Sequence, residues 1–436
     1  MWFSSADAAA IGRCLAQVAD QATDIVDLFL ERRYELEMRS EETGPGVVAR
    51  RDEGFAIRLV RDGHTHLVAR DGFEAGALES ALREVARVIP SSAYSVPELA
   101  TLGPPEIPAW DEFLDFQTRV RQAVRERHAA FDFRVRVAHH RRRVQLVGRR
   151  LMPEPETEAF FSLACSTPWG GFGTLTPELD DDCVAAVAKA LVGRFRARGA
   201  SVIGGFAGPI VLAPAATAVL LHEAVAHALE TDTLVLSGRP EAAVGVALGS
   251  DLLDVLDSPG DMPPALRRET DDEGLPVLRR WLLRRGCVSQ VLADRFHAGL
   301  SPHLLPGAAR RASRHLPPVP RSTHLELVPG DHDFADLLEG ASGIYFSEIS
   351  RGRLDPLSGE LVVEFPHGRR FRAGRLGDWV GRCVLRGKAS QVLSAVEAIG
   401  DESEFAGAGW CAKAGHRLPV WATCAHLRLS GLEIGQ

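Results

Sequence analysis

The chain has 436 residues, of which 45% are hydrophobic and 25% are charged, and its formal net charge is −8. That length suffices for two domains with cores of their own, and the acidic balance gives no reason to expect nucleic acid as a partner. No transmembrane span is visible, so we expect no membrane association. The segment from Met1 to Asp27 lacks the basic start and continuous apolar core of a signal peptide, which predicts a cytoplasmic protein. Seven cysteines without a CxxC pair favour reduced thiols over a disulfide framework.

The first half of the sequence predicts a mixture of helices and short strands, because apolar residues recur there with both helical and alternating spacing. In chain order we predict an amphipathic helix through about Arg33, strands at 56–60 and 66–69, helices at 73–88 and 111–130, a strand at 131–137 and a helix at 180–198. The Pro-rich residues 104–108 predict a connector.

A basic run, His139-His140-Arg141-Arg142-Arg143, lies between alternating segments that resemble a hairpin. We predict the solvated tip of that hairpin. An electrostatic contact to a substrate or partner is the alternative.

The second half predicts short strands separated by Pro- and Gly-rich loops, among them the Pro- and Arg-rich stretch 301–323. Strand-like alternation of residue types at 343–346, 361–365 and 371–373 indicates an antiparallel sheet or barrel-like unit. The predicted fold class is α+β. A mixed α/β N-terminal domain, 1–200, would be followed by a C-terminal domain, 201–436, which contains a metal-site helix and an antiparallel β-rich region.

The most informative segment is His222-Glu223-Ala224-Val225-Ala226-His227, inside an otherwise apolar run that predicts a helix from Ala215 to Glu230. Two imidazoles beside a carboxylate are typical of a zinc hydrolase. Histidines five residues apart diverge by about 140° on an ideal helix, at about 100° per residue. Both can bind one metal only if the helix widens locally or ends, so we predict a π-bulge between His222 and His227.

At this point the chain resembles the TldD/PmbA family of zinc metallopeptidases, whose active members carry HExxxH within HEAVGHGLE, where this chain reads HEAVAHALE. Two family glycines are Ala226 and Ala228 here. Further matches in order and spacing are Asp271-Asp272-Glu273-Gly274, Gly307-Ala308-Ala309-Arg310-Arg311, Pro320-Arg321-Ser322-Thr323, the run from Gly409 to His416, and Leu418-Pro419-Val420.

The resemblance nominates Cys411 as the third metal ligand beside His222 and His227, leaving a fourth position for water. Zinc suits two imidazoles and a thiolate, although iron or cobalt would fit a similar set. A buried free thiol is the ordinary alternative for Cys411. The rival ligands are Glu230, His416, Cys424 and His426.

Glu223 is predicted to be the general base that takes a proton from zinc-bound water and later delivers it to the leaving amine. Glu230 could hold an imidazole in its correct tautomer, or it could be a solvated residue of the last helical turn. An oxyanion stabiliser or substrate-binding group is also expected, and Lys413, Arg310 and Arg321 are candidates by charge and family position.

The resemblance implies a zinc-dependent peptidase that hydrolyses unstructured peptides or a peptide-like precursor, working with a homologous subunit as a heterodimer, or as a homodimer. One alternative is a tailoring hydrolase for a small amino-acid or peptide conjugate in a secondary-metabolite pathway. Another is a non-catalytic partner subunit. The retained His222, Glu223 and His227 favour the catalytic role.

Overall fold

The computed structural model describes residues 5–19, 24–41, 44–74, 76–86, 110–127, 129–148, 155–236 and 243–435. The helices are α1 (Ser5–Val18), α2 (Ala77–Ala86), α3 (Trp110–Glu126), α4 (Asp181–Ala197), α5 (Pro214–Leu221), α6 (Thr231–Leu236), α7 (Arg295–Ala298), α8 (Phe334–Leu337) and α9 (Ala389–Ser394), with a π-helical turn at His222–Ala226 and a 3-10 turn at Pro259–Asp261. The strands are β1 (Ile25–Glu41), β2 (Gly44–Arg61), β3 (His64–Asp71), β4 (Arg134–Gly148), β5 (Glu156–Thr167), β6 (Gly170–Thr176), β7 (Ile210–Leu212), β8 (Val255–Asp257), β9 (Arg280–Arg284), β10 (Cys287–Val288), β11 (Ala309–Arg310), β12 (Val319–Pro320), β13 (His324–Leu327), β14 (Gly343–Phe346), β15 (Arg351–Leu354), β16 (Glu360–Phe365), β17 (Gly368–Arg372), β18 (Arg375–Val380), β19 (Cys383–Lys388), β20 (Val396–Lys413), β21 (His416–Leu429) and β22 (Ile434–Gly435).

The first half forms an antiparallel six-stranded sheet in the order β3-β2-β1-β4-β5-β6. One face of this sheet is covered by helices: α1 and α2 pack over one end and α3 and α4 over the other. Strand β1 alternates accordingly, because Leu28 and Leu30 lie under α1 and α2 whereas Asp27 and Glu31 belong to the opposite side of the pleat. The uncovered face is therefore free to contact the second half of the chain.

The predicted helix through about Arg33 is wrong beyond Val18, because residues 25–41 form β1. Acidic residues alternate with apolar ones along β1, as expected for a strand. Because residues on both faces of β1 have buried partners, the two-residue period of the strand is obscured in the sequence. The strands predicted at 56–60 and 66–69 are confirmed within β2 and β3. The connector predicted at 104–108 lies outside the described residues.

The predicted hairpin tip at His139–Arg143 is also wrong, because these residues occupy the middle of β4 and pair with β1 on one side and β5 on the other. Arg142 is held by buried carboxylates: its Nε lies 2.9 Å from Glu31 and its NH1 lies 3.6 Å from Asp272. Tertiary ion pairs thus allow a basic run inside a sheet.

The second half contains a ten-stranded sheet, β10-β9-β8-β13-β21-β7-β14-β17-β18 with β20 paired to β21, and a four-stranded sheet, β15-β16-β19-β22. The predicted strands at 343–346, 361–365 and 371–373 correspond to β14, β16 and β17. The larger sheet departs from the antiparallel expectation, because β13 and β21 are parallel, as are β7 and β14. The mixture of helices and strands confirms the α+β class. The domain division at residue 200 stays a prediction.

The Pro- and Arg-rich stretch 301–323 is held by polar contacts to carboxylates from both halves of the chain. The backbone N–H of Arg311 donates to Asp272 at 2.7 Å, and the Arg314 guanidinium reaches Asp52 at 2.6 Å on β2. The same stretch accepts a 3.0 Å hydrogen bond from Arg142 through the carbonyl of Arg311. It therefore fastens the uncovered face of the first sheet to the second half of the chain.

In the described part of the chain, helices are either too short or too polar to cross a bilayer.

We expect Arg58→Ala to lower the free energy of unfolding by about 3–5 kcal/mol, because removing one member of a buried ion pair leaves its partners uncompensated. Arg58 is 3% exposed, and its guanidinium contacts Asp27 at 3.0 Å and Glu273 at 2.7 Å. Denaturant unfolding followed by tryptophan fluorescence measures the loss. As a control, Arg50→Ala removes a half-exposed pair with Glu35 and should cost about 0–1 kcal/mol. Equal losses in the two variants would contradict the expectation.

Candidate metal centre

The two histidines converge because the helix widens between them. Helix α5 runs into the π-helical turn at His222–Ala226, and the backbone N–H of His227 donates to the carbonyl of His222 at 3.1 Å, five residues back. This confirms the predicted π-bulge. The imidazole centroids lie 4.5 Å apart with the rings inclined at 67°. The predicted helix from Ala215 to Glu230 ends earlier, at the π turn, and Thr231 begins α6 rather than a loop.

Strand β20 brings Cys411 to the histidines. Its Sγ lies 3.4 Å from Nε2 of His227, and one ligand atom from each of His222, His227 and Cys411 lies within 4.8 Å of the others. All three side chains are buried. The hairpin of β20 and β21 pairs Cys411 with Leu418, so the third potential ligand is positioned by a strand almost two hundred residues after the helix.

The donor set fits a zinc ion. Within the described residues, neither ring nitrogen of His222 has a hydrogen-bond partner, although the side chain is buried. A buried polar group without a partner is costly, and a metal ion would satisfy it. Burial and the neighbouring His227 hold the pKa of His222 well below its usual range, which leaves the neutral imidazole that metals require. Two imidazoles and a thiol are ligands that zinc prefers.

Glu230 orients His227 from behind. Its Oε2 accepts a hydrogen bond from Nδ1 of His227 at 2.9 Å, which directs Nε2 toward Cys411 and His222. Lys413 also donates to Glu230, and Arg321 lies 3.3 Å away. Burial alone would raise the pKa of Glu230, but His227 and Arg321 hold it well below its usual range. The predicted tautomer-holding geometry is therefore present, whereas Glu230 is fully buried rather than solvated.

Glu223 lies between the histidines and strand β15. Burial raises the pKa of its carboxyl group, against the opposing influence of His227 and of a hydrogen bond from the backbone N–H of Leu354. Gly352 packs against the same side chain, because a Cβ built there would lie 2.5 Å from Cγ of Glu223. A glycine at this position permits the close approach of β15 that holds the carboxylate in place.

A cavity of about 960 Å³ opens on this group of side chains. One wall is the uncovered face of the N-terminal sheet, including Glu37 and His140, and the other consists of β15 and the region around Trp410. His222, Glu223, His227, Cys411 and Lys413 all line it. The cavity thus gives a ligand access to the carboxylate and to the three potential metal ligands together.

Of the rival ligands, Glu230 contacts His227, whereas His416, Cys424 and His426 lie elsewhere. Nδ1 of His416 accepts a hydrogen bond from the backbone N–H of Ala312 at 3.1 Å, and His426 packs against Phe334 with 4.6 Å between ring centroids. Cys424 is completely buried in the apolar core. Among the charged candidates, Lys413 lines the cavity, whereas Arg321 pairs with Asp232 at 2.9 Å and Arg310 donates to the carbonyl of Ser322 at 2.9 Å, both behind the cavity wall.

No sequence pattern predicted the roles of Gly352 and Leu354, which hold Glu223, or of Thr233, which accepts a hydrogen bond from Lys413. The glycine lies in a short run between charged residues, which has no signature of its own. Thr233 lies just beyond the predicted helix, which ends at Glu230. Both roles arise from contacts between elements that are distant in sequence.

Glu230→Gln is expected to weaken zinc binding about 10- to 100-fold, because an amide is a weaker acceptor for Nδ1–H of His227 than a carboxylate. Competition with a chromophoric chelator measures the affinity. Glu269→Gln, which changes an exposed carboxylate outside the cavity, is the matched control. An unchanged affinity in Glu230→Gln would show that this carboxylate does not support the ligand set.

Comparison with known proteins places these features in a family. The model of the PmbA/TldA metallopeptidase C-terminal domain matches residues 206–436, more than half of the chain. A metalloprotease TldD homolog of Buchnera aphidicola is 27% identical over 234 residues, 52% of this chain and 48% of that protein. A zinc metalloprotease TldD homolog of Saccharolobus solfataricus is 24% identical over 228 residues, 52% of this chain and 51% of that protein. The match therefore spans about half the length of these curated relatives.

The solved structure of TldE from Thermococcus kodakarensis superposes with a TM-score of 0.72, covering 98% of this chain and 100% of that chain. The sequence identity is 16%, so this likeness concerns the fold alone. The family match, in contrast, includes the whole group from His222 to Cys411. On that match, this chain belongs to the TldD/PmbA family, whose metallopeptidase C-terminal domain it carries.

Proposed function

We propose that this chain is a zinc-dependent peptidase that hydrolyses amide bonds of unstructured peptides or of a peptide-like precursor. The observation that carries the proposal is the placement of Glu223 beside the buried His222, His227 and Cys411 group, on the wall of a large cavity. The names of the curated relatives, metalloprotease and zinc metalloprotease, support it.

In this proposal His222, His227 and Cys411 would hold a zinc ion, which would act as a Lewis acid that polarises the carbonyl group and lowers the pKa of water. The carboxylate of Glu223 takes a proton from water as the water oxygen attacks the scissile carbonyl. It then returns that proton to the leaving amine. The raised pKa of Glu223 favours this role, because proton transfer is most efficient when the pKa of the base approaches the working pH.

Lys413 is the proposed oxyanion stabiliser. Lys413 lines the cavity, whereas the other two cationic candidates do not. Hydrogen bonds to Glu230 and Thr233 hold its ammonium group beside His227. A preorganised cation of this kind stabilises negative charge that develops on the carbonyl oxygen. Arg321 and Arg310 are instead assigned structural roles, since their guanidinium groups bind Asp232 and the carbonyl of Ser322.

An extended peptide suits the shape of the site. Strand β15 forms an edge of its sheet, because it pairs with β16 on one side, and the backbone N–H of Leu354 on β15 reaches Glu223. An edge strand can bind an extended peptide through main-chain hydrogen bonds with little dependence on side chains. A cavity of about 960 Å³ has room for several residues of such a peptide.

A homologous subunit is the proposed partner, because the fold is shared with TldE and the second half of the sequence is similar to that of a TldD homologue. Within such a pair this chain would be the catalytic member, in a reducing compartment such as the cytoplasm, where Cys411 stays available to a metal.

Glu223→Gln is expected to lower kcat on unstructured peptides about 10²- to 10⁴-fold while zinc content is unchanged, because only the proton carrier is lost. Peptides of graded length, separated by chromatography, and plasma mass spectrometry for metal measure the two properties. Glu269→Gln serves again as the control. Unchanged turnover would exclude Glu223 as the base, and turnover confined to conjugates of one or two residues would support the tailoring hydrolase instead.

Gly352→Ala is expected to reduce kcat/KM about 10- to 100-fold with zinc retained, because the new methyl group would displace the Glu223 carboxylate from its working position. Steady-state kinetics beside metal analysis checks this. The matched control is Gly377→Ala, where a Cβ would meet its nearest neighbour, the carbonyl oxygen of Arg370, at an ordinary 3.7 Å. Full activity in Gly352→Ala would mean that this contact does not position the base.

A further inference from the structure

The cavity in front of the metal centre is basic, although the chain as a whole carries a formal charge of −8. Seven basic and three acidic side chains line it. The acidic ones are Glu35, Glu37 and Glu223. The basic ones are Arg39, Arg50, Arg136, Arg351, Arg353, Lys413 and Arg417. A protein that is acidic overall thus concentrates positive charge where its proposed substrate must bind.

Much of this charge is already neutralised on the N-terminal wall. Glu37 accepts hydrogen bonds from Arg39 and lies 2.9 Å from Arg136, and Glu35 pairs with Arg50. Lys413 is likewise committed to Glu230. The positive charges of these groups are offset by neighbouring carboxylates, so the groups do not by themselves select the charge of a ligand.

Three arginines on the opposite wall are different. In the part of the chain that the structure describes, Arg351, Arg353 and Arg417 form no ion pair with a carboxylate, and all three side chains are exposed. The pKa of the exposed Asp355 is lowered by hydrogen bonds from Ser358 and, to a smaller extent, by the nearby Arg353. Arg353 acts on Asp355 through space and forms no ion pair with it, so the guanidinium group of Arg353 is not occupied by that carboxylate.

The three arginines lie on the elements that carry the proposed chemistry. Arg351 and Arg353 alternate on β15 with Gly352 and Leu354, the residues that contact Glu223. Arg417 follows the turn between β20 and β21. It pairs with Ala412, beside the pair that Cys411 forms with Leu418. Arginines without a carboxylate partner among the described residues are therefore carried by both elements that border this side of the cavity, β15 and the β20–β21 hairpin.

Arg417 is also preorganised. Its guanidinium carbon lies 4.3 Å from the ring centroid of Trp410, which in turn packs edge-on against His140 at 5.4 Å. Stacking on an indole face restrains the plane of the guanidinium while leaving its N–H groups free in the ring plane. A fork held in this way can donate two hydrogen bonds to one carboxylate.

Resting on the function proposed above, we propose that the cavity selects acidic peptides, with Arg351 and Arg353 on β15 and Arg417 on the β20–β21 hairpin binding Asp or Glu side chains of the substrate. These arginines are specificity-determining residues. They contact the substrate without taking part in proton transfer, so they should govern binding more than the chemical step.

Binding is measured first, separately from turnover, with zinc-loaded Glu223→Gln and fluorescein-labelled peptides of about eight residues, a length that spans an edge strand. Three peptides share one sequence except that alternate positions carry Glu, Gln or Lys. Fluorescence anisotropy should show the Glu peptide binding about tenfold more tightly than the Gln peptide, and the Lys peptide binding most weakly. Raising the salt from about 0.05 M to about 0.5 M should reduce that difference, because exposed charges are screened.

The variant test combines Arg351→Gln, Arg353→Gln and Arg417→Gln in the same background, and each single change is also made in case the triple variant fails to fold. The preference for the Glu peptide should fall severalfold, whereas the exposed Arg372→Gln, outside the cavity, should leave it unchanged. Arg417→Lys should restore part of the preference by keeping the charge. Equal binding of the three peptides, or a preference that survives the triple variant, would overturn the inference.

Turnover by the unmodified chain then separates this inference from the proposed function. Hydrolysis of all three peptides with equal kcat/KM would overturn the charge selectivity and leave the peptidase in place. Selective binding of the Glu peptide without hydrolysis of any peptide would uphold the selectivity and overturn the peptidase. Higher kcat/KM for the Glu peptide, arising mainly from KM, would support both.

Discussion

A single backbone hydrogen bond, from the N–H of His227 to the carbonyl of His222, is the constraint on which the candidate metal centre depends. It closes a π-helical turn and so brings together two imidazoles that an ordinary α-helix would point in different directions. The surrounding residues, Ala224, Val225 and Ala226, are buried in the main core of the second half, so packing holds the widened turn in place. The geometry of the potential ligands is thus supported by apolar burial.

The second requirement is a set of buried charges arranged behind the ligands. Glu230 orients His227, and its own burial is compensated by Lys413 and Arg321. Removing a carboxylate from water is costly, and two nearby cations offset that cost. Lys413 lies two residues after Cys411 on the same strand. That strand therefore supplies both the third potential ligand and a positive charge for Glu230, which orients His227. Helix and strand are therefore coupled at the site.

The N-terminal sheet contributes to the same centre from a distance. Its uncovered face forms one wall of the cavity and binds the Arg-rich stretch 301–323 through Arg142, Glu31 and Asp52. The backbone of Ala312 in that stretch donates to His416, at the start of β21. A continuous series of polar contacts thus runs from the first sheet to the hairpin that carries Cys411. This arrangement explains why arginines in a proline-rich loop are buried rather than solvated.

The linear sequence was sufficient for the features that depend on local spacing or on a motif. If the i, i+5 histidines were to bind one metal, the helix had to widen or end between them, because no regular helix can direct both rings to one point. The α+β class followed from alternating and helical periods. The sequence misled where burial on both faces or ion pairs across the fold overrode local pattern, as in β1 and in the basic run at His139–Arg143. Only the tertiary structure brought Gly352 against Glu223, placed Lys413 on Glu230 and left three arginines facing the cavity without carboxylate partners among the described residues. These contacts join residues far apart in the chain, so no local periodicity encodes them.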